Sequence, residues 1–316
     1  MRKILIITGL SLFVSATFAQ QDHQFTQFMY NKPLLNPGYV GSNDAPCFTL
    51  TSRNQWLGLE GAPQTQMLAF NMPVFNKKVG LGLSVNRQTI GIVEKYTAES
   101  QYAYRIRVGY GTLGMGLSAS VRFLRVNYSK ATAVQSIELD EAIPEDLQSK
   151  YVPNFGAGFY YSSYRFYLGF SVPRLIENSI DFSETGETIS KEVRHIYGMM
   201  GFLLDLGEKV QIQPQVLLKY VKGAPFDADA NLNFIFSDRV TTGISYRLGG
   251  SKATGIGESV SLVFGMQLTD NILFGLSYDY SLSELANYSN GSIEGVFRYC
   301  IGGRSEGEEY ISPRFF

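Results

Sequence analysis

From Val260 to Leu268 every second residue is large and apolar (Val260, Leu262, Phe264, Met266, Leu268), and Ser261, Gly265 and Gln267 fill most of the places between. A period of two is a strand's signature. After Thr269-Asp270-Asn271 the alternation resumes. Ile272, Phe274, Leu276, Tyr278 and Tyr280 fall on one face and Gly275, Ser277 and Asp279 on the other, so two strands meet at a tight turn. In a soluble sandwich the polar face would carry many charges. Here it is mostly Gly, Ser, Gln and Asp, while aromatics gather near the strand end, which suits a wall between lipid and a wet lumen.

Composition agrees with that wall. Charged residues make up 17% of the 316, against roughly 25% in soluble domains, and the chain holds 32 Gly, 20 Tyr and 22 Phe. The net charge of -1, with no basic stripe, argues against nucleic acid as a partner. Arg2 and Lys3 precede the apolar run Ile4 to Val14, and Ala16-Thr17-Phe18-Ala19 offers small residues for cleavage after Ala19. That predicts a secretory signal over 1–19, since the run is too short to cross ~30 Å of hydrocarbon as a helix.

The same alternation recurs along the chain. Strands are predicted from Cys47 to Gln55, Gln64 to Val74, from Val79, Lys95 to Val108, from Leu113, Val152 to Tyr161, Arg165 to Leu175, Val193 to Leu206, from Val210, Ala228 to Phe236, Val240 to Leu248, from Val260 and Ile272, and Ser292 to Ile301. Fourteen is an even number, as single-chain bacterial outer-membrane barrels require. Connections after even strands are tight and those after odd strands mostly longer, which predicts short periplasmic turns, longer extracellular loops and both termini on the periplasmic side. An open sheet edge cannot face lipid, so the last strand must pair with the first. The expected organisation is a signal peptide (1–19), an extended periplasmic lead-in (20–46), one all-β, up-and-down transmembrane barrel (47–301) and a periplasmic tail (302–316). The expected location is the outer membrane.

Chemistry-bearing constellations are sparse. The two histidines, His23 and His195, support no metal cluster and no Ser-His-Asp arrangement. Neither catalysis nor a cofactor is expected. The glycines Gly80/Gly82 and Gly114/Gly116 sit inside alternating strands and are not phosphate loops. Cys47 opens strand 1 and Cys300 ends strand 14, so closure brings both to the periplasmic end of the seam, where an oxidising periplasm permits a disulfide. Such a bond needs Cα atoms within ~7 Å, and two free thiols in offset register are the alternative. The acidic runs Ser129 to Lys150 and Ile176 to Ser190 read as solvated outer loops. Arg105, Arg107, Arg122, Arg165 and Arg247 are expected to line the lumen, through internal ion pairs or as a guest-binding surface.

The lead-in Gln24-Phe25-Thr26-Gln27-Phe28, with Asn31-Lys32-Pro33-Leu34-Leu35-Asn36-Pro37-Gly38-Tyr39-Val40-Gly41-Ser42, resembles the opening of the PorP/SprF family of Bacteroidetes outer-membrane proteins. So do Arg53-Asn54-Gln55-Trp56 with Gly61-Ala62-Pro63-Gln64, and the ending Ser312-Pro313-Arg314-Phe315-Phe316. Where the family's lead-in reads Asn-Pro-Ala-Phe-Ala-Gly this chain has Gly38-Tyr39-Val40, a mild departure. The resemblance implies a barrel of the type IX secretion system that helps export or anchor secreted surface proteins, adhesins of gliding motility among them. Its implied partners are a cargo C-terminal domain or other secretion components. Arg53, Asn54, Gln55 and Trp56 are then the candidate partner-binding motif, with Trp56 at the outer face as a guest anchor or an interfacial aromatic. A passive channel for small solutes is the alternative function; a barrel enzyme and a soluble sandwich are further rivals.

Overall fold

The computed structural model describes residues 24–128, 147–180, 191–249 and 257–302. The alternating segments become fourteen antiparallel strands. The first half of the sheet comprises β1 (Cys47–Asn54), β2 (Gln64–Val74), β3 (Val79–Ile90), β4 (Val93–Val108), β5 (Gly111–Val126), β6 (Gln148–Ser162) and β7 (Phe166–Val172). The second comprises β8 (His195–Phe202, continued as Leu204–Asp205), β9 (Val210–Val221), β10 (Asp227–Phe236), β11 (Val240–Arg247), β12 (Ser259–Gln267), β13 (Ile272–Ser281) and β14 (Ser292–Cys300). Each strand pairs with its sequence neighbours, and β14 pairs with β1 from Cys47 opposite Cys300 to Asn54 opposite Ile293. The sheet therefore has no edge.

Side-chain exposure inverts the order of a water-soluble domain. Leu83, Leu117 and Leu262 face outward at 59%, 63% and 63% exposure, whereas Thr51, Gln215 and Glu294 face inward at 0%, 1% and 0%. Large apolar groups on the outside and buried polar groups within are stable only when the surroundings are hydrocarbon. Loop length follows strand parity with one exception. Connections 75–78, 109–110, 163–165, 206–209, 237–239 and 268–271 lie at one end, and the longer segments 55–63, 127–147, 173–194, 222–226, 248–258 and 282–291 at the other. The exception is the β3–β4 connection, a tight turn at 91–92 on the long-loop side. By the usual rule the short-turn end is periplasmic.

The eighth strand breaks at Leu203. The β8–β9 register, Gln215 with Gly201 and Ile212 with Leu204, sets Pro214 opposite Phe202. Proline has no N–H to give the ladder, so the pairing lapses there. The expected signal peptide (1–19), His23, residues 129–146 and 181–190 of the acidic loops, and residues 303–316 of the tail lie outside the described residues.

The lead-in differs from its expected form. It is not extended and does not lie outside the barrel: residues 24–41 are all buried, in short helical turns at Phe28–Tyr30, Lys32–Leu35 and Pro37–Tyr39. They fill the lumen. Asn and Pro residues break the segment into single turns, but its polar backbone must still find partners, and a ring of inward polar side chains supplies them.

The seam carries a covalent link. Cys47 and Cys300 face one another in register, with Cα atoms 4.0 Å apart and the sulfurs joined. The bridge spans 253 residues of sequence, and the chain-entropy model gives a closure of that length about 5 kcal/mol. Reduction is expected to lower the temperature at which the barrel loses its folded electrophoretic mobility by several degrees. A Cys47→Ser/Cys300→Ser variant that unfolds at the wild-type temperature would contradict this.

Candidate functional site

Alternation along β1 turns Thr49, Thr51 and Arg53 inward, and all three are buried. Arg53, near the long-loop end, meets two carboxylates delivered by neighbouring strands. Its Nη2 lies 2.6 Å from Asp279 of β13 and its Nη1 3.1 Å from Glu294 of β14. The plug completes this cluster. The backbone N–H groups of Thr26 and Gln27 donate to the two oxygens of Glu294, each at 2.9 Å, and the Thr26 hydroxyl donates to Asp279 while accepting from Arg53. Two buried acids and one buried base, each with additional hydrogen bonds, are the arrangement in which charge is tolerated away from water.

Further ion pairs line the same end of the lumen. Asp229 receives Lys219 at 2.6 Å and Arg247 at 2.7 Å, and Asp227 accepts from Lys219 and from Gln24 of the plug. Arg122 and Arg174 both reach Glu192 of the β7–β8 connection. Of the five arginines expected to line the lumen, Arg122 and Arg247 do so through internal ion pairs. Arg105 and Arg107 stand at the short-turn mouth, and Arg165 is at the rim, half exposed beside Asp205 at 2.9 Å.

The opposite wall is built for close approach. Gly80 and Gly82 of β3, Gly114 and Gly116 of β5 and Gly158 of β6 face inward; the plug's backbone lies against Gly80, Gly114 and Gly116, and its Val40 and Asn36 side chains against Gly82 and Gly158. A Cβ at Gly80 would sit 2.0 Å from the Val40 carbonyl oxygen, and one at Gly116 2.2 Å from the Pro37 carbonyl carbon. Periodicity marked these glycines as strand residues. Their role in seating a buried segment depends on what lies across the lumen, which no local pattern records.

Between these two walls the plug adds an apolar and aromatic core. Phe28, Leu35 and Tyr39 pack with Tyr160, Tyr167, Tyr197, Met199, Leu217 and Ile235. Lys32, 1% exposed, points its ammonium at the Tyr167 ring, 3.9 Å from the centroid, with Tyr39 and Tyr160 alongside at 5.5 and 5.9 Å. Cation–π attraction strengthens when water is excluded. Asn36 donates to the Phe159 carbonyl and accepts from the Gly38 N–H, Gln101 donates to the Pro33 carbonyl, and Arg298 donates to the Tyr30 carbonyl.

The motif Arg53-Asn54-Gln55-Trp56 divides in the structure. Arg53 faces the lumen and holds the plug; Gln55 and Trp56 enter the β1–β2 loop. That loop is fastened to its neighbours. The Trp56 N–H donates to the Ser292 hydroxyl, Leu57 and residues 290–291 exchange two backbone hydrogen bonds, and the Gly91 N–H donates to the Gly61 carbonyl. Trp56 has φ 47°, a conformation a bulky residue rarely adopts. A cleft of about 400 Å³ opens here, lined by Gln55, Trp56, Leu57, Leu59, Gln64 and Thr89 among others. His195 lies inside the lumen wall with Nδ1 2.9 Å from the Val193 carbonyl oxygen. Among the described residues no group of three or more His, Cys, Asp or Glu could hold a metal ion.

A closed antiparallel sheet, apolar toward its surroundings and polar within, is an outer-membrane β-barrel. The fold is similar to that of the CymD monoaromatic hydrocarbon channel (10% identity, TM-score 0.53, covering 92% of this chain and 97% of that one) and of the P. putida toluene transporter TodX (8% identity, TM-score 0.50, 87% and 95%). Likeness at such identities speaks for the fold alone. No curated protein matches the sequence. The family model described as type IX secretion system membrane protein PorP/SprF matches residues 17–299, and the chain belongs to that family.

Proposed function

We propose that this protein serves type IX secretion as a closed docking barrel: a non-enzymatic outer-membrane platform that binds a secreted surface protein through its C-terminal domain, or a translocon component, and helps export it or hold it at the cell surface. In a gliding cell such a cargo is an adhesin. The observation that carries the reading is a lumen occupied by the protein's own residues 24–41 while three outer connections are tied into one preorganised surface around Trp56. Rigid aromatic anchors in preformed clefts are efficient recognition elements, because little side-chain entropy is lost on binding.

The passive-channel alternative draws on the hydrocarbon channel and toluene transporter among the structural neighbours. The filled lumen weighs against it. In living cells a Trp56→Ala variant is expected to assemble normally yet shed type IX cargo into the medium, with surface-retained cargo reduced roughly tenfold, as loss of one buried aromatic worth about 1–2 kcal/mol or more would give. Wild-type retention in that variant would remove Trp56 from the site. Normal export and retention of every type IX cargo in a deletion strain would remove the function.

A further inference from the structure

At the short-turn mouth the plug's exit segment and the turns of β2 to β7 enclose a second cleft, of about 620 Å³. Its walls include Lys77, Lys78, Arg105, Arg107, Tyr110 and Asp44. Arg105 and Arg107 continue the inward series of β4, after Gln101 and Ala103, so they point into the mouth and not toward lipid. Four cations therefore face one acid. Lys77 pairs with Asp44 at 2.7 Å, while Lys78 and Arg107, both exposed, make no ion pair with any described residue. Arg105 donates through Nη1 to the Gly41 carbonyl, but its Nε is buried with no hydrogen-bond partner.

The rim that presents the lysines is itself unusual. Phe75, Asn76 and Lys77 follow one another in the left-handed region, at φ 49°, 55° and 62°. L-residues rarely adopt that conformation even singly, and strain of this kind gathers at binding surfaces.

We propose that this periplasmic cleft receives an extended, acidic segment of a partner protein, whose Asp or Glu carboxylates engage Lys78, Arg105 and Arg107. The site goes beyond the outer-face cargo reading and stands independently of it. Guanidinium forks bind carboxylates in a fixed two-pronged geometry, which favours a peptide carboxylate over diffuse counterions. The volume lies within the range of built ligand sites and suits a few residues of chain. A lipid headgroup would need the arginines on the outer wall, where β4 instead shows Tyr102 and Tyr104.

The test uses the purified full chain in detergent and a fluorescent ten-residue peptide alternating Glu and Ser, titrated at physiological salt. The expected result is saturable binding, at least tenfold weaker for Lys78→Glu/Arg107→Glu. Both positions are exposed, and retained folded mobility on electrophoresis checks the fold. A Gln/Ser peptide should not bind. Four results would each overturn the proposal: no binding, equal binding by the double variant, displacement by phosphatidylglycerol vesicles, or binding only after truncation at Gly302. The last would mean that the chain's own Glu306, Glu308 and Glu309 are the occupants.

Discussion

Replacing Gly80 by valine is expected to turn a silent barrel into a conducting one. In planar bilayers the wild-type protein should show no steady current, because its lumen holds residues 24–41. The substituted Cβ would lie 2.0 Å from the Val40 carbonyl oxygen and 2.4 Å from its carbon. Both are backbone atoms, so no rotamer can relieve the overlap, and the cost exceeds the about 1–3 kcal/mol typical of overpacked cores. Every ~1.4 kcal/mol against the seated plug multiplies its unseated fraction tenfold. The barrel should persist, because Gly80 faces the lumen and its strand pairing needs no glycine. A fourteen-stranded ring without its plug is wide enough to hold water. Gly295→Ala, where an added Cβ meets nothing within 4 Å, is the matched control. Stepwise conductance in Gly80→Val and none in the control is the expected pair of results. A steady current through the wild type would restore the channel reading.

The second large effect is expected from Arg53. Arg53→Met leaves Asp279 and Glu294, with side chains 3% and 0% exposed, without their cation. Removing one partner of a buried ion cluster typically costs about 3–5 kcal/mol, since the remaining charges stay desolvated. Thr26 and Gln27 lose their anchor too, because the carboxylates that accept their N–H and hydroxyl groups are no longer held in place. Hydrogen exchange at residues 24–30 should rise sharply, and the midpoint of thermal unfolding should fall. Adding Asp279→Asn and Glu294→Gln removes the orphaned charges and should recover much of the loss. If Arg53→Met alone leaves exchange at Thr26 and Gln27 unchanged, the ion cluster does not hold the plug.

Both predictions depend on residues whose surroundings come from distant parts of the chain, and this is where legibility in the sequence ends. The period-two pattern of Val260 to Tyr280 sufficed for strand direction, for which face meets lipid and for the tight turn between. The same pattern across fourteen segments sufficed for closure, because a hydrocarbon solvent forbids a free edge. Cys47 and Cys300 could be set at the same end of the seam, but their register was open until the pairing of β1 with β14 set it. Parity alone set no length for the β3–β4 connection, and Gly91-Ile92 closes it as a tight turn on the long-loop side, with Gly91 at φ 54°. Pro214 could have flagged the break in β8, since a proline within a strand withholds one donor.

The lead-in is the instructive case. Gln24 to Gly41 has no periodicity, and a polar, proline-broken segment ahead of a barrel reads as solvated chain. Only the assembled ring turns Thr51, Asp279, Glu294 and Arg298 toward one enclosed space and gives the segment's backbone partners there. Local alternation, acting against lipid, determined the barrel, its outward face and its closure, because those depend on one residue and its neighbour two along. What fills the barrel, and which carboxylates and plug groups the inward Arg53 meets there, was decided by contacts across the lumen between residues far apart in the chain, which exist only once the sheet has closed.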